Sequence, residues 1–279
     1  MNSVFKNQIV WVTGASSGIG EAMARDFVKR GAKVILTARR EDRLQKLADE
    51  LNQGSSTPCA KILPADLSKL NELSALTDKA LALFGRIDVL LNNAGVSQRS
   101  LALETPFEVE EHMIKLDLIS PIALTKALLP HFVKQKSGRF IVTSSLMGDL
   151  ELPGSATYAC VKHGLNGYFY SLAFELKEHN IDVQVLQPGF VRTEVSLKAV
   201  TSDGTSHGKM DSTHDKAMSP EKFSEKTFKK LERGDTSIIV AGKEGLALPV
   251  RRWFPGLYRT IVAKTAKSMF KERFVDSKT

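Results

Sequence analysis

Gln8-Ile9-Val10-Trp11-Val12 runs directly into Thr13-Gly14-Ala15-Ser16-Ser17-Gly18-Ile19-Gly20. A short apolar run followed by turn residues reads as a buried strand. Past the turn, Ile19, Ala22, Met23 and Phe27 recur at helical spacing until Gly31. Taken alone, the glycines need only join a strand to a helix. A second run, Lys33-Val34-Ile35-Leu36-Thr37, completes a βαβ unit and changes the reading. The glycines let backbone N–H groups approach an anion, and the helix N-terminus favours its charge. The unit therefore predicts a dinucleotide site.

The residues after the second strand choose between dinucleotides. An acid there would bond the ribose 2′-hydroxyl of NAD, whereas arginine accommodates the 2′-phosphate of NADP. Here the strand ends Thr37-Ala38-Arg39-Arg40, and the first acid is Glu41. Arg39 and Arg40 point to NADP(H); the plainer alternative is two solvated arginines leading into a helix over Glu41–Asn52.

The alternation continues along the chain. Further strands are expected at 60–63, 87–91, 139–143, 182–186 and 236–240. Helices are expected at 68–84, 106–134 (bent near Pro121) and 155–179. Seven strands alternating with helices predict an α/β fold, a Rossmann-type doubly wound parallel sheet in a single domain over 1–249. Ligands bind such a sheet at the carboxyl ends of its strands. Gly14, Asn92, Ser145 and Pro188 all follow strands and would gather there.

Tyr158 and Lys162 lie four apart on the expected helix 155–179, so they share a face. An ammonium beside a phenol favours the phenolate and brings proton exchange near neutrality within reach. Ser145 stands just past Phe140-Ile141-Val142, where a hydroxyl could hold a substrate oxygen against the same phenol. Alone, the Tyr–Lys spacing usually marks two surface residues. Its company gives it force.

The chain resembles the short-chain dehydrogenase/reductase family. The resemblance rests on Thr13-Gly14-x-x-x-Gly18-x-Gly20, Asp66, Asn92-Asn93-Ala94-Gly95, Ser145, Tyr158-x-x-x-Lys162 and Pro188-Gly189-x-x-x-Thr193, in order over roughly residues 7 to 242. It implies hydride transfer between a nicotinamide cofactor and a carbonyl or secondary alcohol. It also implies that Tyr158 is the general acid/base, with Lys162 holding the ribose and Ser145 the carbonyl oxygen. Asp66 would contact the adenine, Asn92 would line the adenosine side and Thr193 would reach the carboxamide. Thr13, Gly14, Ser16, Ser17, Gly18, Ile19, Gly20, Leu67, Ala94, Gly95, Pro188, Gly189 and Val191 would be further contacts to the cofactor. A homodimer or homotetramer packed through the long helices after Pro106 and Ser155 is also implied. The family's asparagine on the long helix aligns with Asp117 in Lys115-Leu116-Asp117-Leu118-Ile119. That departure puts the proton relay in question and supports the alternative of a dinucleotide-binding regulatory or scaffold protein with impaired chemistry.

The net charge of +8 suggests nucleic acid until its distribution is read. Residues 251–279 hold eight Lys/Arg against two Asp/Glu, so most of the excess belongs to this tail. Nucleic-acid binding is not expected. Phe254, Leu257, Tyr258, Ile261, Val262, Met269 and Phe270 recur near helical spacing in the tail, making 250–279 a basic amphipathic extension. Its apolar face would pack on the core or another subunit, or lie on an anionic membrane surface.

A polar stretch over about 194–220 is read as a substrate lid. His207, Asp211, His214 and Asp215 within it read as solvated loop residues, so no metal is expected. Leu146, Met147, Leu150, Leu152, Phe190, Val195 and Leu197 would face the substrate and favour a lipophilic ketone or alcohol. Two cysteines, Cys59 and Cys160, form no disulfide framework or metal spacing. Met1 to Gln8 has no apolar segment of a secretory signal, and no apolar run approaches the roughly 20 residues of a membrane span. A cytoplasmic location is the expectation, with peripheral contact to a membrane through the tail as the alternative.

Overall fold

Seven short strands stand side by side, every neighbouring pair parallel. They are β1 (Ile9–Thr13), β2 (Lys33–Thr37), β3 (Ala60–Ile62), β4 (Val89–Asn92), β5 (Gly138–Thr143), β6 (Ile181–Pro188) and β7 (Ser237–Val240). Their order is β3-β2-β1-β4-β5-β6-β7. The winding reverses between β1 and β4, where a doubly wound sheet opens its ligand crevice. This computed structural model describes residues 3–194 and 217–274.

Helices cover both faces, which is why β1 is apolar as far as Thr13: Val10, Trp11 and Val12 are all fully buried. Alternate residues point to opposite faces. Val10, Val12, Val34 and Leu36 join Met23 and Phe27 of α1 (Gly18–Lys29) and Phe223 and Phe228 of α7 (Pro220–Leu231). On the other face Trp11, Ile35 and Leu90 meet Leu76 of α3 (Leu73–Phe84) and Leu128 and Phe132 of α5 (Ser120–Gln135). Phe169 of α6 (Ala156–Glu175) joins that second layer. The Trp11 indole N–H is satisfied by Thr37 Oγ1 at 2.9 Å, so its burial leaves no orphan donor.

Helix α2 runs Glu41–Asn52, as read from the sequence. Most other bounds shift by one or two residues, as with Asn92 and Pro188, which end their strands instead of following them. The long helix differs in kind. It consists of α4 (Phe107–Ile114), a π-helical turn over Lys115–Ile119, and α5. The irregularity lies on the N-terminal side of Pro121. Proline has no N–H to return to the carbonyl four residues back, and its ring crowds that carbonyl, here that of Asp117. Ser120 N–H bonds instead to Lys115 O, five residues back.

By length and composition Phe107–Gln135 is apolar enough to cross a membrane, contrary to the expectation from run length. Its Leu116, Leu124, Leu128 and Phe132 are nonetheless buried in the core layer over the sheet.

The boundary expected at 249/250 falls inside α8 (Ala247–Trp253), which leads into α9 (Pro255–Phe274). Tyr258 is 5% exposed in a cluster with Leu146 and Leu150, against which Ala247, Leu248, Val250 and Val262 pack. Most of the lid segment lies outside the described residues, including Val195, Leu197, His207, Asp211, His214 and Asp215.

Candidate active site

The β1–α1 turn is shaped by glycine. Gly14 and Gly18 have φ of +67° and +60°, where side-chain-bearing residues are strained. A Cβ on Gly20 would run into the Gly14 carbonyl, so α1 approaches the turn only because that side chain is missing. Gly14, Ser16, Ser17 and Ile19 line a cleft of about 1290 Å³ along the carboxyl edge of the sheet. Arg39 and Arg40 close it beyond β2, and Asp66 and Leu67 beyond β3. Ala94 and Gly95 form its floor after β4, with Pro188, Gly189, Val191 and Thr193 at the far side.

Two residues expected at the cofactor instead hold the scaffold. Thr13 is 1% exposed; its Oγ1 donates to Leu91 O at 3.1 Å and accepts from the Asn93 and Ala94 N–H groups. Asn92 is 4% exposed, and its amide donates to Thr125 Oγ1 on α5 at 3.1 Å. Both side chains fasten β4 to its neighbours and neither lines the cleft. Asn93 fixes the floor: its amide donates to Thr13 O at 3.2 Å and its Oδ1 accepts from Thr143 Oγ1 at 3.1 Å.

Ser145, Tyr158 and Lys162 line one stretch of the same cleft. Ser145 Oγ accepts from Met147 N–H at 3.1 Å, capping the turn Leu146–Gly148. A hydroxyl has one proton, and this contact leaves it available to donate elsewhere. Lys162 Nζ lies 5.3 Å from the centroid of the Tyr158 ring and donates to Thr143 O at 3.2 Å. Its side chain is only 7% exposed.

Comparison with known proteins identifies the family of the chain. The family model for short chain dehydrogenases matches residues 8–203. The chain belongs to that family. Its relatives include "Dehydrogenase/reductase SDR family protein 7-like" from Drosophila melanogaster, 37% identical across 94% of this chain and 82% of the relative. "Dehydrogenase/reductase SDR family member 7B" from Bos taurus is 32% identical across 98% and 86%. Among solved structures, a metagenomic short-chain oxidoreductase in complex with NADP is 29% identical, with a TM-score of 0.70 over 86% of this chain and 99% of that one. A Burkholderia phymatum short-chain dehydrogenase/reductase in complex with NAD has a TM-score of 0.79 over 91% and 95%; at 20% identity it speaks for the fold alone.

In this short-chain dehydrogenase the π-turn carries Asp117 into the site. Both carboxylate oxygens accept from Val96 N–H, at 3.0 and 3.1 Å, and Oδ2 lies 3.7 Å from Lys162 Nζ. A Cβ on Gly95 would come within 2.7 Å of Asp117 Oδ2, so this approach needs glycine at 95. Burial pushes the Asp117 carboxyl up to about 6, against the opposing pull of Lys162 and the Val96 N–H. At Asp66, burial acts upward but is outweighed by the Ser68 N–H and hydroxyl, aided by the charges of Arg39 and His112. The carboxyl is held below its ordinary value.

Other contacts of this short-chain dehydrogenase site carry no sequence signal. Gln98, 2% exposed, accepts from the Thr157 and Tyr158 N–H groups at 3.0 and 3.2 Å. It thereby caps the first turn of α6 from 60 residues away and fixes the entry of the Tyr158 helix. Glu244 accepts from Gly242 N–H and Phe190 N–H, both at 2.9 Å, tying the loop after β6 to the chain after β7. Glu194 bonds to Arg40 at 2.9 Å and Arg43 at 2.6 Å. Only a motif ending in a structured acid could have marked Glu194, and the sequence places it at the edge of a polar loop.

Proposed function

We propose that this chain is an NADP(H)-dependent oxidoreductase that interconverts a carbonyl and a secondary alcohol on a lipophilic substrate. The observation that carries the reading is the meeting of Ser145, Tyr158 and Lys162 in the cleft that begins at the β1–α1 turn. At about 1290 Å³ the cleft exceeds the roughly 300–1,000 Å³ of a pocket for one small molecule, leaving room for a cofactor and a substrate together.

The residues suit the 2′-phosphate of NADP. Arg40 Nη2 donates to Ser16 Oγ and Ser17 Oγ, both at 2.9 Å, so hydroxyls and guanidinium form one donor set. The Glu194 carboxylate pairs with Arg40, so a 2′-phosphate would have to take that carboxylate's place on the guanidinium. The NADP complex of the 29% identical metagenomic oxidoreductase is consistent with this choice.

When bound, a nicotinamide dinucleotide supplies a hydride to the substrate carbon or removes one. The Tyr158 hydroxyl gives its proton to the carbonyl oxygen in reduction and takes it back in oxidation. Ser145 directs its free proton at the same oxygen and stabilises the charge that develops there. Lys162 places a buried positive charge 5.3 Å from the centre of the Tyr158 ring, so the proton moves to and from the phenol beside a cation. Leu146, Met147, Leu150, Leu152 and Phe190 line the substrate end, and this apolar wall selects for a lipophilic molecule.

NADPH should bind more tightly than NADH, and Arg40→Ala should weaken NADPH by at least about tenfold, the scale of a charge-assisted hydrogen bond. NADH affinity should hardly move. Fluorescence titration of both cofactors against both proteins reads this directly. Equal affinities in the unmodified protein would remove the NADP assignment.

We also propose that copies of the chain associate through the outer faces of α4–α5 and α6. Phe107 and Phe174 there are 69% and 84% exposed, an unusual waste of apolar area for a surface left in water. Sedimentation velocity should show a dimer or tetramer that Phe107→Ser/Phe174→Ser weakens; a monomer at all concentrations would contradict the reading.

A further inference from the structure

The helix pair α8–α9 has two unlike sides. Inward, Tyr258 Oη donates to Glu151 O at 2.7 Å, and Arg251 Nε reaches Glu151 Oε2 at 2.8 Å. Together with the Leu146–Leu150 cluster, these contacts dock the pair on the protein. Outward, Trp253, Phe254, Leu257 and Ile261 are 70%, 63%, 55% and 51% exposed. Four large apolar side chains left on one docked element exceed the scattered single exposures normal on a soluble surface.

Charge says what covers them. From residue 245 to 271 the sequence has six Lys/Arg and no Asp/Glu. Arg252, Arg259 and Lys264 are exposed and make no ion pair with another described residue. Lys264 continues the stripe of Leu257 and Ile261, one turn further on. The Arg252 guanidinium lies 5.6 Å from the Trp253 ring, keeping cation and aromatic face together. Apolar side chains interleaved with exposed cations match an interface where acyl chains lie beneath anionic headgroups. A second copy of the chain is disfavoured as the occupant, because it would set one uncompensated basic patch against another.

Position adds a role. Ala247, Tyr258 and Thr265 of the same two helices line the cleft at its substrate end. Leu152 and Phe190, both cleft-lining, are 40% and 43% exposed, so apolar surface of the cleft also reaches solvent. We infer that the outer face of α8–α9 docks on an anionic membrane surface and presents the substrate end of the cleft to the bilayer. A lipophilic substrate would then enter without crossing water. The docking stands on exposure and charge alone, whereas the delivery of substrate rests on the oxidoreductase reading above.

The test is co-sedimentation of the full chain with vesicles of phosphatidylcholine alone and of phosphatidylcholine with phosphatidylserine. Binding should require phosphatidylserine and fall with added salt. Leu257→Glu/Ile261→Glu, and separately Arg252→Gln/Arg259→Gln/Lys264→Gln, should each weaken it by at least about tenfold. Their melting temperatures and NADPH affinities should match the unmodified protein, because these side chains face outward. Equal binding to both vesicle types, no binding, or binding that both variants retain would overturn the inference. So would variants that change only the oligomeric state, which would give the patch to a second copy. Loss of vesicle binding with ketone reduction intact would leave docking standing apart from catalysis. Vesicle binding by a protein without reductase activity would remove the delivery role alone.

Discussion

Tyr158→Phe is expected to lower turnover by about 10²–10⁴-fold, the usual contribution of a positioned acid or base. NADPH affinity should be unchanged. The substitution keeps the ring that Lys162 faces at 5.3 Å and removes only the hydroxyl that carries the transferable proton. Because Gln98 caps α6 through the backbone N–H of residue 158, the helix should enter the site as before. Loss in kcat without loss in cofactor affinity separates a chemical role from a structural one. If the variant kept most of its turnover, another group would have to be the acid. A regulatory protein with impaired chemistry would show no turnover to lose.

Asp117→Asn is expected to stabilise the protein at neutral pH and to alter its pH profile. The carboxyl is pushed from an ordinary 3.8 up to about 6 by burial. Between those values the folded chain binds a proton that the unfolded chain has released, so this group's contribution to stability falls as pH rises through the window. Above about 6 the deficit is complete, on the order of 3 kcal/mol for a gap of that size. Asparagine cannot ionise, and its Oδ1 can still accept from Val96 N–H. Thermal melts should show the variant more stable by several degrees near pH 8, with most of the advantage gone near pH 4, where the folded carboxyl is protonated, and all of it lost well below 3.8, where both states are. The rate should respond as well. An ionised Asp117, 3.7 Å from Lys162 Nζ, offsets part of the positive charge felt at Tyr158 and so disfavours alcohol oxidation relative to ketone reduction. The unmodified protein should show an inflection near pH 6 in kcat/KM that Asp117→Asn lacks. A variant with the same inflection and no gain in stability would mean that Asp117 acts only through helix geometry.

The fold was legible in the sequence because its signals are local. β1 and β2 are continuous apolar runs since both faces of the sheet are covered, and glycines mark the turn where backbone must lie bare. The pairing of Tyr158 with Lys162 follows from helical spacing alone. What stayed hidden depends on which way a side chain turns once distant parts meet. Thr13 and Asn92 sit in the motif, yet they bond inward to β4 and α5, where each satisfies a buried backbone or hydroxyl partner. Gln98 caps a helix far along the chain, a partnership that no spacing encodes. Pro121 did announce an irregularity in the long helix. That the helix would answer with a widened turn, and bury Asp117 by it, depends on Gly95 leaving space on a different strand end. The tail showed amphipathic spacing, but only the packed structure separates Tyr258 and Val262, turned inward, from Leu257 and Ile261, left in water.

The most direct measurement follows NADPH consumption while the unmodified protein and Tyr158→Phe are mixed in parallel with a panel of lipophilic ketones and aldehydes, with the alcohol products quantified. The account predicts at least one carbonyl compound reduced with one alcohol formed per NADPH consumed, and the reaction lost in a variant that still binds NADPH. NADPH binding by both proteins, with no compound reduced faster by the unmodified protein than by Tyr158→Phe, would contradict it.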